Sequence, residues 1–280
     1  MDRHLPPNAA LAALRIDGAR LWQSLMDLAQ IGATPKGGVC RIALTDLDRQ
    51  GRDLFVQWAR GAGCSIRVDA IGNIFARRAG QDDGLPPVMT GSHIDTQPTG
   101  GKFDGNYGVL AGIEVVRTLN DHGIETEAPI EVAFWTNEEG SRFAPAMISS
   151  GVYAGVFDLE YGLSRADKNG VSIGQALQQI GYAGPHPVGG QAVHAAFELH
   201  INLRKSVVHP VAQLAQAVMH GRSPKNHDDC NTDRHPHGGA HGAFFLVKLK
   251  PLSSRLFGLG LAANAAQRRR KGVQARQADV

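Results

Sequence analysis

The sequence predicts an α/β fold, a mixed and largely parallel sheet flanked by helices. Two observations carry this. Segments with apolar residues at helical spacing alternate with short segments of two-residue periodicity. Polar clusters then follow the β-type segments at their C-terminal ends, where sheets of this class collect ligands. Asp17 caps a helix running to Ala29, with Leu21, Trp22, Leu25, Leu28 and Ala29 along one side and Gly32 ending it. Thr45, with Asp48 three residues on, starts a second helix in the manner of a capping box; Leu54, Phe55, Trp58 and Ala59 form its apolar stripe. Ser65–Asp69 and Asn73–Arg77 are short strands separated by Ala70–Gly72. After Pro86 and Pro87, Val88–Thr90 is a short buried strand, and residues 91–106, GSHIDTQPTGGKFDGN, are too rich in turn residues for a helix. Tyr107–Leu119 is helical, with Val109, Ile113, Val116 and Leu119 on one side. Ile130–Thr136 alternates, placing Ile130, Val132 and Phe134 on one face, and Asn137–Arg142 is the loop at its end. Ala195–Ile201 alternates again, with Glu198 and His200 sharing a face.

At 280 residues, 42% hydrophobic and 20% charged, the chain is of globular composition and long enough for one large domain or two modest ones. Three scattered cysteines, Cys40, Cys64 and Cys230, make no disulfide framework. No apolar run of about 18 residues exists to span a membrane, and charges interrupt the stretch where a signal peptide needs an apolar core. The expectation is a cytoplasmic protein with no membrane partner. Charge is divided unevenly: residues 1–201 carry 16 Lys+Arg against 22 Asp+Glu, and residues 202–280 carry 13 against 4, within a net charge of +3. The basic part has one compact block, Arg268–Lys271, and lacks the interleaved aromatics of a nucleic-acid surface, so no nucleic-acid partner is expected. The group His227, Cys230, His235, His237 and His241 matches no closed tetrahedral spacing and is not read as a metal site.

Metal-type ligands concentrate elsewhere. His93 offers an imidazole nitrogen suited to zinc or a similar divalent ion. An extended His-Ile-Asp segment would put Asp95 on the same side, able to accept the other ring N–H. Asp104 lies in a loop free to return to the same point, and a carboxylate can bridge two ions. Glu138 and Glu139 are adjacent and cannot point the same way if extended, so one can ligate while the other serves as general base. His200 is a fourth candidate ligand.

The segments GSHIDTQPTGGKFDGNYG, AFWTNEEGSRFAP and FELHI, in that order, resemble the dinuclear-metal amidohydrolases of the zinc-peptidase fold, the group of N-carbamoyl-L-amino-acid hydrolases, β-ureidopropionases and allantoate amidohydrolases. The resemblance covers residues 12–201. It implies two divalent ions (zinc, manganese or cobalt), with His93 and His200 ligating the first, Asp104 bridging, and Glu139 ligating the second. It further implies Glu138 as general base and Asp95 as the residue orienting His93. The implied reaction is hydrolysis of a small carbamoyl or ureido substrate, N-carbamoyl-L-amino acid or β-ureidopropionate foremost. Allantoate hydrolysis and a non-catalytic metal-binding remnant are the alternatives.

After Ile201 the sequence departs from that pattern. The family continues into a domain carrying its homodimer contact and then supplies a last histidine to the second metal. Here Asn202–Lys205 begins the basic stretch, from which glutamate is absent. The expectation is therefore a catalytic-domain part over 1–201 and a non-homologous, poorly ordered tail over 202–280, translated from a shifted reading frame. The second metal site is then incomplete, the dimer-contact domain absent and turnover impaired.

Overall fold

The computed structural model describes residues 14–201 and a strand at 243–249. Its elements are α1 (Gly18–Leu28), α2 (Asp46–Gly61), β1 (Ser65–Val68), β2 (Ile74–Arg78), β3 (Val88–His93), α3 (Asn106–Asp121), β4 (Ile130–Trp135), α4 (Ile148–Tyr153), α5 (Leu159–Ser164), α6 (Ile173–Ile180), β5 (Ala195–Ile201) and β6 (Ala243–Leu249). The sheet order is β1-β2-β4-β3-β5-β6. β3 pairs in parallel with β4 on one side and β5 on the other, while β2 runs antiparallel to both β1 and β4. The α/β class and the mixed sheet are as the sequence predicts.

The helix starts have local causes. Asp17 accepts the N–H of Arg20, and Thr45 Oγ1 accepts that of Asp48, each satisfying a donor that the first turn leaves open. The reciprocal half of a capping box at α2 does not form. Asp48 is fully buried and instead takes the N–H of Leu44 at 2.8 Å and Arg52 Nε at 2.9 Å. Ser172 and Gln175 make the complete box at α6. Helices α4 to α6 lie in a stretch to which the sequence reading assigned no elements; their apolar sides close over Leu44, Ile71 and Phe143 in a core of their own.

The main core lies on one sheet face. Leu21, Leu25 and Leu28 of α1, Phe55 and Ala59 of α2, and Val109, Ile113 and Val116 of α3 pack on Ile130, Val132 and Phe134 of β4. That is the face expected for β4. Its opposite face is buried too: Ala133 joins Phe75 and Met89, and Glu131 is enclosed with Arg77 Nη1 at 3.1 Å.

Strand β3 is longer than Val88–Thr90. It continues through Gly91 and Ser92 to His93, into the stretch expected to be turn-rich. Gly91 is what allows this: at φ +153°, a Cβ there would lie 1.9 Å from Ala133 O, so only glycine lets the two strands approach at that point. The sixth strand, Ala243–Leu249, was also unexpected and follows β5 in the sheet. Apart from β6, the expectations for residues 202–280, including the histidine-rich group, fall outside the described residues. Among the described residues no helix is long and apolar enough to cross a membrane.

Candidate metal centre

The three strands β4, β3 and β5 run in one direction, so their C-terminal ends open on one side of the sheet, as parallel α/β sheets present their sites. His93 closes β3 opposite Trp135 of β4, three residues before Glu138. The β3–β5 pairing sets Val88 against Ala195 and Thr90 against Phe197; the same offset brings His200 beside His93, and their ring centroids are 5.7 Å apart. Asp104 arrives from the loop before α3.

One ligand atom from each of His93, Asp104 and His200 lies within 4.8 Å of the other two, the only such group of three among the described residues. His200 Nε2 is 3.3 Å from Asp104 Oδ1, and His93 Nε2 is 3.3 Å from Glu138 Oε2. His93 is fully buried, and neither its Nε2 nor Asp104 Oδ1 has a hydrogen-bond partner among the described residues. Orphaned buried polar atoms are costly unless something pairs with them. Two imidazoles and a carboxylate converging on one point are the donor set of a zinc-type divalent ion, so these residues fit one.

Asp95 plays a wider part than expected. The strand ends at His93, so Asp95 does not lie extended beside the ring. His93 Nδ1 instead meets the main-chain oxygen of Asp95 at 2.9 Å, with the carboxylate beyond at 3.6 Å. Donation from Nδ1 leaves the neutral ring's lone pair on Nε2, facing Asp104 and His200. The Asp95 carboxylate accepts the main-chain N–H of Glu138 at 3.1 Å and of Glu139 at 3.2 Å. It thus joins the end of β3 to the end of β4. Asn137, at φ +54°, turns the chain into that loop, a conformation asparagine tolerates better than most residues, and its amide donates to Phe143 O.

The two glutamates separate as adjacent residues should. Glu138 reaches His93, whereas Glu139 Oε2 accepts from Gln97 Nε2 at 3.0 Å and stands outside the three-residue cluster. Burial pushes the Glu138 carboxyl upward, opposed by His93 and reinforced by Asp95, Glu139 and Glu198. Burial likewise raises Glu139. For His93 burial disfavours the imidazolium, but Asp95, Glu138 and Asp104 outweigh it and hold the pKa above the usual histidine range.

The sequence reading missed three participants. Glu198 accepts from Ser92 Oγ at 2.7 Å, signalled only by its sharing a face with His200. Gln97 holds Glu139. Gly105 lies against the His93 ring, where a Cβ would meet Cδ2, Cε1 and Nε2 at 2.5 Å.

The sheet and this donor set make a scaffold that could hold a divalent ion at the C-terminal ends of its strands. The chain belongs to the peptidase family M20/M25/M40, whose sequence model matches residues 89–268, past the point where the sequence reading found no further resemblance. It is 54% identical over 187 residues to an N-carbamoyl-L-amino-acid amidohydrolase of Rhizobium meliloti, covering 67% of this chain and 45% of that one. It is 34% identical over 174 residues to a ureidoglycolate hydrolase of Arabidopsis thaliana, covering 61% and 37%. Among solved structures, a hydantoinase/carbamoylase-family amidase from Burkholderia vietnamiensis is similar with a TM-score of 0.67 and 67% identity, over 68% of this chain and 46% of that one. The chain spans about half the length of the curated relatives it matches.

Proposed function

We propose that this chain carries the catalytic half-site of an amidohydrolase that cleaves the carbamoyl C–N bond of an N-carbamoyl-L-amino acid. The observation that carries the reading is the convergence of His93, Asp104 and His200 with Glu138 against His93. The relatives named for this activity include the one at 54% identity, against 34% for a ureidoglycolate hydrolase, and this favours the carbamoyl substrate over allantoate and other ureido compounds.

In this proposal His93, Asp104 and His200 hold one divalent ion, and Asp104 with Glu139 faces a second. When bound, such ions polarise the scissile carbonyl and make water a better nucleophile at neutral pH. The chain's own residues do the rest. Glu138, anchored through its main chain to Asp95, takes the proton of the attacking water at its carboxylate and returns it to the departing nitrogen. The enclosure that raises its pKa brings its basicity closer to neutrality, where such a base works best. Asp95 keeps the His93 tautomer and the Glu138 main chain in one register.

The described residues supply three ligands for the first ion and two carboxylates towards the second, and on these we propose that the chain binds divalent metal. Its free cysteines Cys40 and Cys64 suit a reducing cytoplasm. The test is ammonia release from an N-carbamoyl-L-amino acid with manganese, cobalt or zinc, beside metal content by mass spectrometry. Bound metal with ammonia release that Glu138→Gln abolishes supports the proposal; no bound ion refutes it. Translating codons 195–215 in the other two frames tests the origin of residues 202–280: family-like sequence in either frame supports a frameshift, and its absence in both ends that idea.

A further inference from the structure

Arg41 sits between α1 and α2, fully buried, and no ligand role falls to it. Its guanidinium donates four hydrogen bonds. Nε reaches Ile94 O at 3.0 Å, Nη1 reaches Leu28 O at 2.9 Å and Ile31 O at 2.8 Å, and Nη2 reaches Asn106 Oδ1 at 2.7 Å. Ile94 lies between His93 and Asp95. Asn106 closes the loop that carries Asp104: its side chain donates to Lys102 O at 3.1 Å and its main-chain N–H to Asp104 O at 2.7 Å. The Arg41 main chain is tied to the same region, donating to Thr96 Oγ1 and accepting the Thr96 N–H, both at 2.9 Å.

A rigid planar cation therefore spans the two loops that deliver His93 and Asp104 and braces both against the end of α1. The acceptors are all neutral oxygens. Burial brings the guanidinium pKa down to about 10, which leaves it charged at neutral pH. A lysine ammonium, a single point of charge on a flexible stem, cannot reach acceptors on all three segments from one position.

We infer that Arg41 is a positioning residue that sets the separation of His93 and Asp104, and through it the affinity and geometry of the ion they hold, while touching neither ligand. The inference rests on the reading of His93, Asp104 and His200 as a metal site. The full chain is titrated with cobalt(II), recording calorimetric affinity and the visible absorption bands of the bound ion, for the wild type, Arg41→Lys, Asn106→Ala and Leu177→Val. Leu177 is a buried residue of α6 in the separate core of α4 to α6, which includes none of the brace residues, so its variant loses stability without changing the brace.

Arg41→Lys is expected to weaken cobalt binding 10- to 100-fold, the range for groups that orient metal ligands, and to alter the bands. Asn106→Ala, which keeps the charge and the three carbonyl bonds, should shift affinity in the same direction by less. Leu177→Val should bind as the wild type does at a temperature where all are folded. Wild-type affinity and bands in folded Arg41→Lys overturn the inference. If Arg41→Lys does not fold, Asn106→Ala decides: a weakened site supports the inference and wild-type binding overturns it. Absence of binding by the wild type sinks the metal reading itself, and the inference with it.

Discussion

Gly105→Ala tests the metal centre at the point where a single carbon should disable it. Gly105 is the centre of a γ-turn, with φ +65° and ψ −48°, in which the Asn106 N–H returns to Asp104 O at 2.7 Å. Alanine is strained in that conformation by about 1–3 kcal/mol. The added Cβ would also lie 2.5 Å from three atoms of the His93 ring, where ordinary carbon contacts are about 3.5–4.0 Å. Ring or loop must therefore retreat by about 1 Å, whereas metal–ligand distances tolerate only about 0.2 Å. The metal-free variant should lose about 1–3 kcal/mol, and its affinity for zinc should fall about 100-fold. The assay is denaturation with and without zinc. At a zinc concentration about 100 times the wild-type Kd, the ion stabilises the wild type by about 2.7 kcal/mol and a variant weakened 100-fold by only about 0.4 kcal/mol. A Gly105→Ala chain that is less stable alone but gains as much from zinc as the wild type would refute the reasoning, because the ring would then have kept its place.

Three further outcomes follow from other parts of the molecule. Arg52 is buried with Asp48 at 2.9 Å and also donates to Gly72 O and Thr136 Oγ1, so Arg52→Met leaves Asp48 uncompensated and should cost about 3–5 kcal/mol in urea denaturation; a loss below about 1 kcal/mol would show that Asp48 is neutralised some other way. Burial pushes the Asp69 carboxyl up to about 6 against the bonds it takes from Asn73 and Ile71. The folded state then holds this proton more tightly than the unfolded chain, so the contribution is full below about pH 4 and is lost as pH rises through about 6, a span worth about 3 kcal/mol. The stability of Asp69→Asn relative to wild type should rise by that amount from pH 4 to 7, and a pH-independent difference would disprove it. Because the surrounding carboxylates keep His93 protonated in the metal-free chain, metal uptake at pH 7.5 should release about one proton, read from calorimetric heats in buffers of different ionisation enthalpy; heats independent of the buffer would mean a neutral ring before binding.

Much of this was legible in the chain as written. The caps at Asp17 and Thr45, the apolar sides of α1 to α3 and the inward face of β4 are local patterns, and the spacing of one residue to the next suffices to read them. The ligand types at 93, 104 and 200 were visible as candidates for the same reason, being read from residue types along the chain. Helices α4 and α5 are six residues each, too short for a periodic pattern to stand out, whereas α6 carries a local signal that went unused, the Ser172–Gln175 box with Ile173, Ala176, Leu177 and Ile180 on one side.

The order of donors along the chain and the α/β class were thus determined by sequence alone, because both rest on side-chain chemistry and on periods of a few residues. Tertiary structure alone decided that β3 runs on to His93, that the Asp95 carboxylate grips the Glu138–Glu139 main chain, that Glu138 and not Glu139 reaches the imidazole, and that Arg41 braces the two ligand loops. Each of these joins groups about ten to sixty-five residues apart, or turns on which carbonyl a side chain meets. Such pairings depend on how strands register and helices dock, which no local pattern encodes.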